Sequence, residues 1–213
     1  MISSDRGLQG ERKHHEKVSA TDAGLGGWLR RKGQQGPEWQ VWDWGENCTW
    51  DERLIGKFNA FFELIDCILL SRKIVEGGHI DHWTKFARKF PDKAEFAFTK
   101  RILEARKVIF SRTLNETKWS RTELARHPLI DEVDDLKHQM GKTIVAFGGA
   151  GFASSLIADD LVDEFQFYVS PIALHQGLSI LAQKGIDSDL ELLGAETFDS
   201  GIVLCRYAPR GRA

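Results

Sequence analysis

An open α/β sheet covered by helices on both faces is the fold class this chain predicts, and three features carry the prediction. Apolar runs at 66–70, 107–110 and 143–147 lack polar alternation, as strands buried on both faces do. Each run ends in a small or polar cluster: Ser71-Arg72-Lys73, Ser111-Arg112-Thr113 and Gly148-Gly149-Ala150-Gly151. Helical patterns separate the runs, and alternation of strand with helix argues for right-handed βαβ units. In such a sheet ligands collect beyond the carboxyl ends of the strands, where loops and helix N-termini offer N–H groups to phosphates.

The elements follow in order. Residues 1–37 are rich in glycine and basic residues, with apolar residues at no helical or strand period, and read as a loose or disordered arm. Leu54, Phe58, Phe61, Phe62 and Ile65 then form one apolar stripe on a helix, with Thr49 as N-cap and Glu52 three residues on. Helical patterns cover 92–105 and 129–139, the second stopped by Gly141. A further helix spans 152–160 and a strand 164–170. Segments 190–198 and 202–207, joined by Asp199-Ser200-Gly201, read as a closing antiparallel hairpin.

Composition narrows the functional classes. The 213 residues are 42% hydrophobic and 28% charged, enough for one substantial core. A formal net charge of −2 gives no basic field of the kind nucleic acid or an anionic membrane surface attracts. No apolar run approaches the roughly 20 residues needed to cross a bilayer. Cys48, Cys67 and Cys205 are widely spaced without a CxxC pair, and no signal segment opens the chain, so a soluble cytoplasmic protein is expected.

Several residues invite chemistry. Asp51 and Glu52 open the first helix and are the candidate catalytic acids, since a partly buried carboxyl there would have a raised pKa; acidic residues in a first turn also serve simply to complement the helix dipole. Trp39, Trp42, Trp44 and Trp50 could stack a flat heterocycle or pack as core or lid. Their acidic surroundings disfavour a single-stranded nucleic-acid platform. Glu76, His79 and His82 have a metal-like spacing weakened by the intervening Gly-Gly pair, and no metal is expected. Cys67 reads as a buried, inert thiol.

The ordered motifs DCILLSRK, KVIFSRTL followed by Trp119, IVAFGGAGFASSLI, LVDEFQFYVSPIAL and a hairpin ending in Tyr-x-Pro resemble the dihydrofolate reductase-like superfamily. Within it they are most similar to the RibD C-terminal (riboflavin-biosynthesis reductase) domain family, over residues 38–209. The resemblance implies a three-layer α/β/α fold with a mixed, mainly parallel eight-stranded sheet, an NADPH-dependent reductase acting on a small heterocyclic substrate, and a homodimer.

It also assigns residues. Ser71, Arg72 and Lys73 fall at the family's phosphate-binding strand-to-helix junction, where a guanidinium can grip phosphate oxygens bidentately. Ser111, Arg112 and Thr113 match the loop that receives the adenosine 2′-phosphate. Gly148 and Gly149, followed by Ala150, Gly151 and Phe152, match the glycine pair that lets backbone approach the pyrophosphate. Asp163, Glu164 and Pro171 match in a structural role.

Two stretches depart from the family. Where it has an apolar first strand and a loop covering the nicotinamide, residues 17–36 read KVSATDAGLGGWLRRKGQQG, which leaves open a degenerate first strand or an altered N-terminus. Its Leu-Gly-x-Gly is Leu174-His175-Gln176-Gly177 here. The expected function is reduction of a pteridine-like or ribosylaminouracil-type heterocycle, with a non-catalytic NADP-binding homologue and a purely structural dimer as alternatives.

Overall fold

The computed structural model describes residues 17–22, 51–169, 171 and 189–211, the first of these segments as backbone. Among them eight strands form one sheet in the order β4-β3-β2-β5-β1-β6-β8-β7. These are β1 (Lys17–Asp22), β2 (Ile65–Ser71), β3 (Arg106–Phe110), β4 (Thr122–Leu124), β5 (Thr143–Phe147), β6 (Glu164–Val169), β7 (Leu190–Thr197) and β8 (Val203–Pro209). The first six pair in parallel, and β8 joins antiparallel to both β6 and β7. The expected mainly parallel α/β sheet closed by an antiparallel hairpin is the one observed.

Side-chain alternation explains why the central runs looked uniformly apolar. Ile68, Leu70, Ile109 and Val145 enter the core on one face, beneath α1 (Glu52–Glu63), α3 (His79–Lys89) and α4 (Ala97–Glu104). Cys67, Leu69, Val108, Ile144 and Ala146 enter the other, beneath α5 (Leu129–Lys137) and α6 (Ala150–Ala158). Successive side chains point to opposite faces, so a strand covered twice needs apolar residues at every position. The first core is aromatic: Phe58 meets Phe62 and Phe98 at 4.8 and 5.1 Å, and Trp83 meets Phe98 at 5.4 Å.

Several expectations are corrected. Residues 17–22 of the supposed arm form β1, in parallel register with Ser19 opposite Val145 and Glu164, so the degenerate first strand is the reading found there. A strand flanked on both sides draws ladder hydrogen bonds from two neighbours and can hold with small residues such as Ser19 and Ala20. The cap of α1 is Asp51, whose Oδ1 accepts from the Leu54 amide at 2.9 Å, and Ile65 begins β2 instead of ending the helix. The expected helix over 92–105 is α4 preceded by a 3-10 turn at Ala94–Phe96.

Two further helices, α2 (Arg72–Glu76) and α3, split at Gly77-Gly78, and the three-residue β4 was not expected at all. Thr49, the tryptophans at 39, 42, 44 and 50, the rest of 1–37 and the loop at 174–177 lie outside the described residues. Asp163 pairs with Lys137 at 2.8 Å, and buried Glu164 takes a two-pronged ion pair from Arg206, as the structural role assigned to them requires.

Candidate functional site

Register brings the three sequence clusters to one edge. β3, β2 and β5 are adjacent and parallel, with Ser71 opposite Phe110 and Leu70 opposite Phe147. Ser71, Ser111 and Gly148 therefore leave the sheet side by side at its carboxyl edge. The Ser71 hydroxyl donates to the Gly148 carbonyl oxygen at 2.7 Å and locks two of these ends together.

At the third end the backbone is bare by necessity. A Cβ on Gly148 would stand 1.9 Å from Cδ1 of Phe152, so nothing larger than glycine fits there. Gly149 caps α6 at φ 79°, a left-handed conformation that glycine alone takes without strain. Ala150 and Gly151 open the helix, and first-turn amides have no intrahelical acceptors, which leaves them for an anion. Phe152 returns its own amide to the Gly149 carbonyl at 3.0 Å and sets its ring 5.4 Å from Phe110.

The loop after β3 is shaped by Ser111, whose Oγ accepts from the amides of Thr113 and Leu114 at 3.1 and 2.9 Å. Arg112 and Thr113 are exposed, and no acid pairs with Arg112 among the described residues. Arg72 begins α2 and pairs with Glu76 at 2.5 Å, while Lys73 points to solvent. Sequence reading missed a fourth loop. β4 runs parallel to β3 with Ala125 donating to Ile109, so Arg126 and His127 emerge beside Ser111 and Arg112. Glu132 of α5 accepts from both the Arg126 and His127 amides, at 2.7 and 2.9 Å, and fixes that turn. The cue was slight, an Arg-His-Pro turn after a strand of three residues.

Asp51 lies at the same carboxyl edge, where the tip of the β7–β8 hairpin meets the start of α1. Its Oδ2 accepts from the Ser200 amide at 2.9 Å while Oδ1 caps the helix. Burial works against its charge, but the Ser200 and Leu54 amides outweigh it and hold the carboxyl below its ordinary range. The raised pKa expected of a proton donor is thus corrected: Asp51 is held as a carboxylate. Glu52 is exposed in the first turn. The Glu76, His79 and His82 set does not assemble either, because Glu76 turns to Arg72 and His79 inward to Trp83 and Phe147. Cys67 is buried and its thiol is pushed up to about 12 by that burial, so it is inert as expected. No helix among the described residues is long and apolar enough to cross a membrane.

Comparison with known proteins places this geometry in a lineage. The family model described as RibD C-terminal domain matches residues 32–204. The uncharacterized protein YyaP of Bacillus subtilis (strain 168) is 31% identical over 151 residues, 70% of this chain and 77% of that protein. Among solved structures, a Shewanella sp. PV-4 protein named for riboflavin biosynthesis superposes with a TM-score of 0.61 at 16% identity, covering 91% of this chain and 99% of that one. A diaminohydroxyphosphoribosylaminopyrimidine deaminase/5-amino-6-(5-phosphoribosylamino)uracil reductase from Thermotoga maritima superposes at 0.59 and 14% identity. That match covers 92% of this chain, which spans 57% of the Thermotoga protein.

Proposed function

Because the chain belongs to the RibD C-terminal domain family, we propose that it is an NADPH-dependent reductase of a small heterocyclic substrate, of the ribosylaminouracil or dihydrofolate type. The observation that carries this reading is the shared strand edge, where Ser71, Ser111 and Gly148 leave neighbouring strands together.

The residues fit the cofactor. Gly148 and Gly149 leave backbone free for a pyrophosphate, with the first-turn amides of α6 behind it. Arg112 and Thr113, and Arg126 on the adjacent loop after β4, are exposed cationic and hydroxyl groups suited to the 2′-phosphate that distinguishes NADP from NAD. Arg72 and Lys73 at the start of α2 face the same edge and would hold the remaining phosphate charge.

When bound, the cofactor supplies the hydride. The chain's part would be to hold the phosphates and to place an acceptor beside the bound cofactor. Asp51 serves as an anionic anchor at the mouth of that region, since a carboxylate already accepting two amides retains further lone pairs for a substrate N–H. A second reading, an NADP-binding protein without turnover, draws on the same residue, because an ionised Asp51 has no proton to donate. We further propose a homodimer, for which the edge strand β7 offers the exposed Leu192 and Leu193.

Fluorescence titration with NADPH and NADH, followed by turnover on dihydrofolate and on 5-amino-6-ribosylaminouracil phosphate, tests the proposal. NADPH should bind at least tenfold more tightly than NADH, and Arg112→Ala should erase most of that preference. Failure of the wild-type protein to bind either nucleotide overturns the reading; binding without turnover on any heterocycle leaves the second one standing.

A further inference from the structure

The aromatic layer beside the candidate site contains a polar atom with nothing to bond. The Nε2 of His79 is sealed from solvent and meets no hydrogen-bond partner among the described residues. Its ring lies 5.6 Å from Phe147 and 6.1 Å from Trp83. Phe147 is the residue that leads into Gly148-Gly149, and its ring stacks against Phe62 of α1 at 6.1 Å and 3°. His79 thus occupies the corner where the cofactor edge meets the aromatic face of the sheet.

An unpaired buried nitrogen costs roughly 1–3 kcal/mol, which a leucine or phenylalanine at this position would avoid. The group is also kept uncharged: burial first, then the neighbouring His82 and Lys107, push the imidazole down to about 4. A neutral imidazole offers one donor or one acceptor according to its tautomer, the complement of an oxo or amino edge. The residue as a whole is only partly buried, and it follows directly on Gly77-Gly78, the latter at φ 88°. It therefore stands at the margin of the aromatic layer, at the start of α3.

We propose that His79 is the substrate-recognition residue of this site, its Nε2 hydrogen-bonding the oxo or amino edge of a flat bicyclic heterocycle that enters at the Phe147 end of the aromatic layer. This rests on the reductase reading above and gives that reading a specificity-determining group. The ligand class is a planar, uncharged ring system with a lactam or aminopyrimidine edge. The His79 nitrogen selects among rings of similar shape.

Calorimetric titration of 6-methylpterin into the NADPH-saturated protein tests this, with His79→Phe and His79→Asn as variants. His79→Phe keeps the volume and removes the nitrogen, so it should melt at or above the wild-type temperature, bind NADPH unchanged and bind 6-methylpterin at least tenfold more weakly. His79→Asn should recover part of the loss. In wild-type protein labelled with ¹⁵N-histidine, the His79 Nε2 resonance should move on addition of 6-methylpterin, which a purely structural histidine would not do. Wild-type pterin affinity in His79→Phe, or an unmoved resonance, overturns the assignment while leaving NADPH binding intact. Absence of NADPH binding in the wild type overturns instead the reading on which it rests.

Discussion

The Ser71 hydroxyl reaches across from the end of β2 to the Gly148 carbonyl at the end of β5, 2.7 Å away and 77 residues on in the chain. A strand-to-helix serine normally caps its own helix, yet Ser71 makes no such bond to α2 and spends its proton on the neighbouring strand. Ser71→Ala leaves that carbonyl and the loop geometry unsupported. We expect a loss of about 1 kcal/mol in urea unfolding and several-fold weaker NADPH binding. Unchanged affinity with reduced stability would show that the bond serves the fold alone.

Gly148→Ala tests the same corner sterically. The added Cβ would meet the Phe152 ring at 1.9 Å, so α6 has to shift and carry its first-turn amides away from the edge. The single variant should lose NADPH binding. Combining it with Phe152→Ala removes the obstructing ring and should restore part of the affinity, a coupling read from the double-mutant cycle. Strict additivity of the two losses would argue that Gly148 matters for some reason other than its contact with Phe152.

Much of this corner was legible in the sequence, because bulky β-branched and aliphatic runs such as Ile68-Leu69-Leu70 and Ile144-Val145 can hardly be anything but doubly covered strands. What escaped is equally physical. β1 holds through two neighbours with the small residues Ser19 and Ala20, so its signal lies in its partners, not in its own side chains. β4 has only three residues, too few for any period to show, and with it went Arg126. Gly77-Gly78 separates two helices in a stretch to which the sequence reading assigned no element. Asp51 was read as a candidate proton donor opening the first helix, but the donors that lower its pKa include Ser200, which is 149 residues away and beyond any local pattern.

On the proposed reading, Glu76 would compete with the cofactor for Arg72. The two side chains pair at 2.5 Å one helical turn apart, both substantially exposed, an arrangement worth only a few tenths of a kcal/mol to stability. A phosphate bound there as proposed would have to draw the guanidinium away. Glu76→Gln should therefore raise NADPH affinity about two- to threefold at low salt without moving the melting temperature. Weaker binding would mean that Glu76 orients Arg72 for the phosphate.

Asp51 joins the start of α1 to the hairpin tip through the Leu54 and Ser200 amides. Asp51→Ala removes a helix cap and a tertiary tie, and should cost on the order of 1–2 kcal/mol. Its folded pKa lies below the ordinary value, so the stability it contributes is present above about pH 4 and disappears as the pH falls through the folded value. Acid unfolding curves of the wild type and Asp51→Ala should converge below that point and stay apart at pH 7. Curves that keep their separation down to pH 2 would remove the carboxylate's charge from the explanation.

Lys107 gives an alkaline counterpart on the opposite edge of the sheet. Its ammonium is buried at the start of β3 and donates to the Leu103 and Ala105 carbonyls at 2.9 and 2.8 Å, closing the end of α4. Burial, and then the charge of Arg121, push it down to about 8 from 10.5. Between those two values the unfolded chain still holds a proton that the folded chain has released, so stability rises with pH by up to roughly 1.4 kcal/mol per unit. Lys107→Met keeps the packing length and has no proton to lose. The wild type should therefore gain on Lys107→Met in unfolding free energy between pH 8 and 10, a difference from which the Cys67 thiol, common to both proteins, drops out; parallel profiles for the two proteins would mean that the Lys107 amine is not depressed in the folded state.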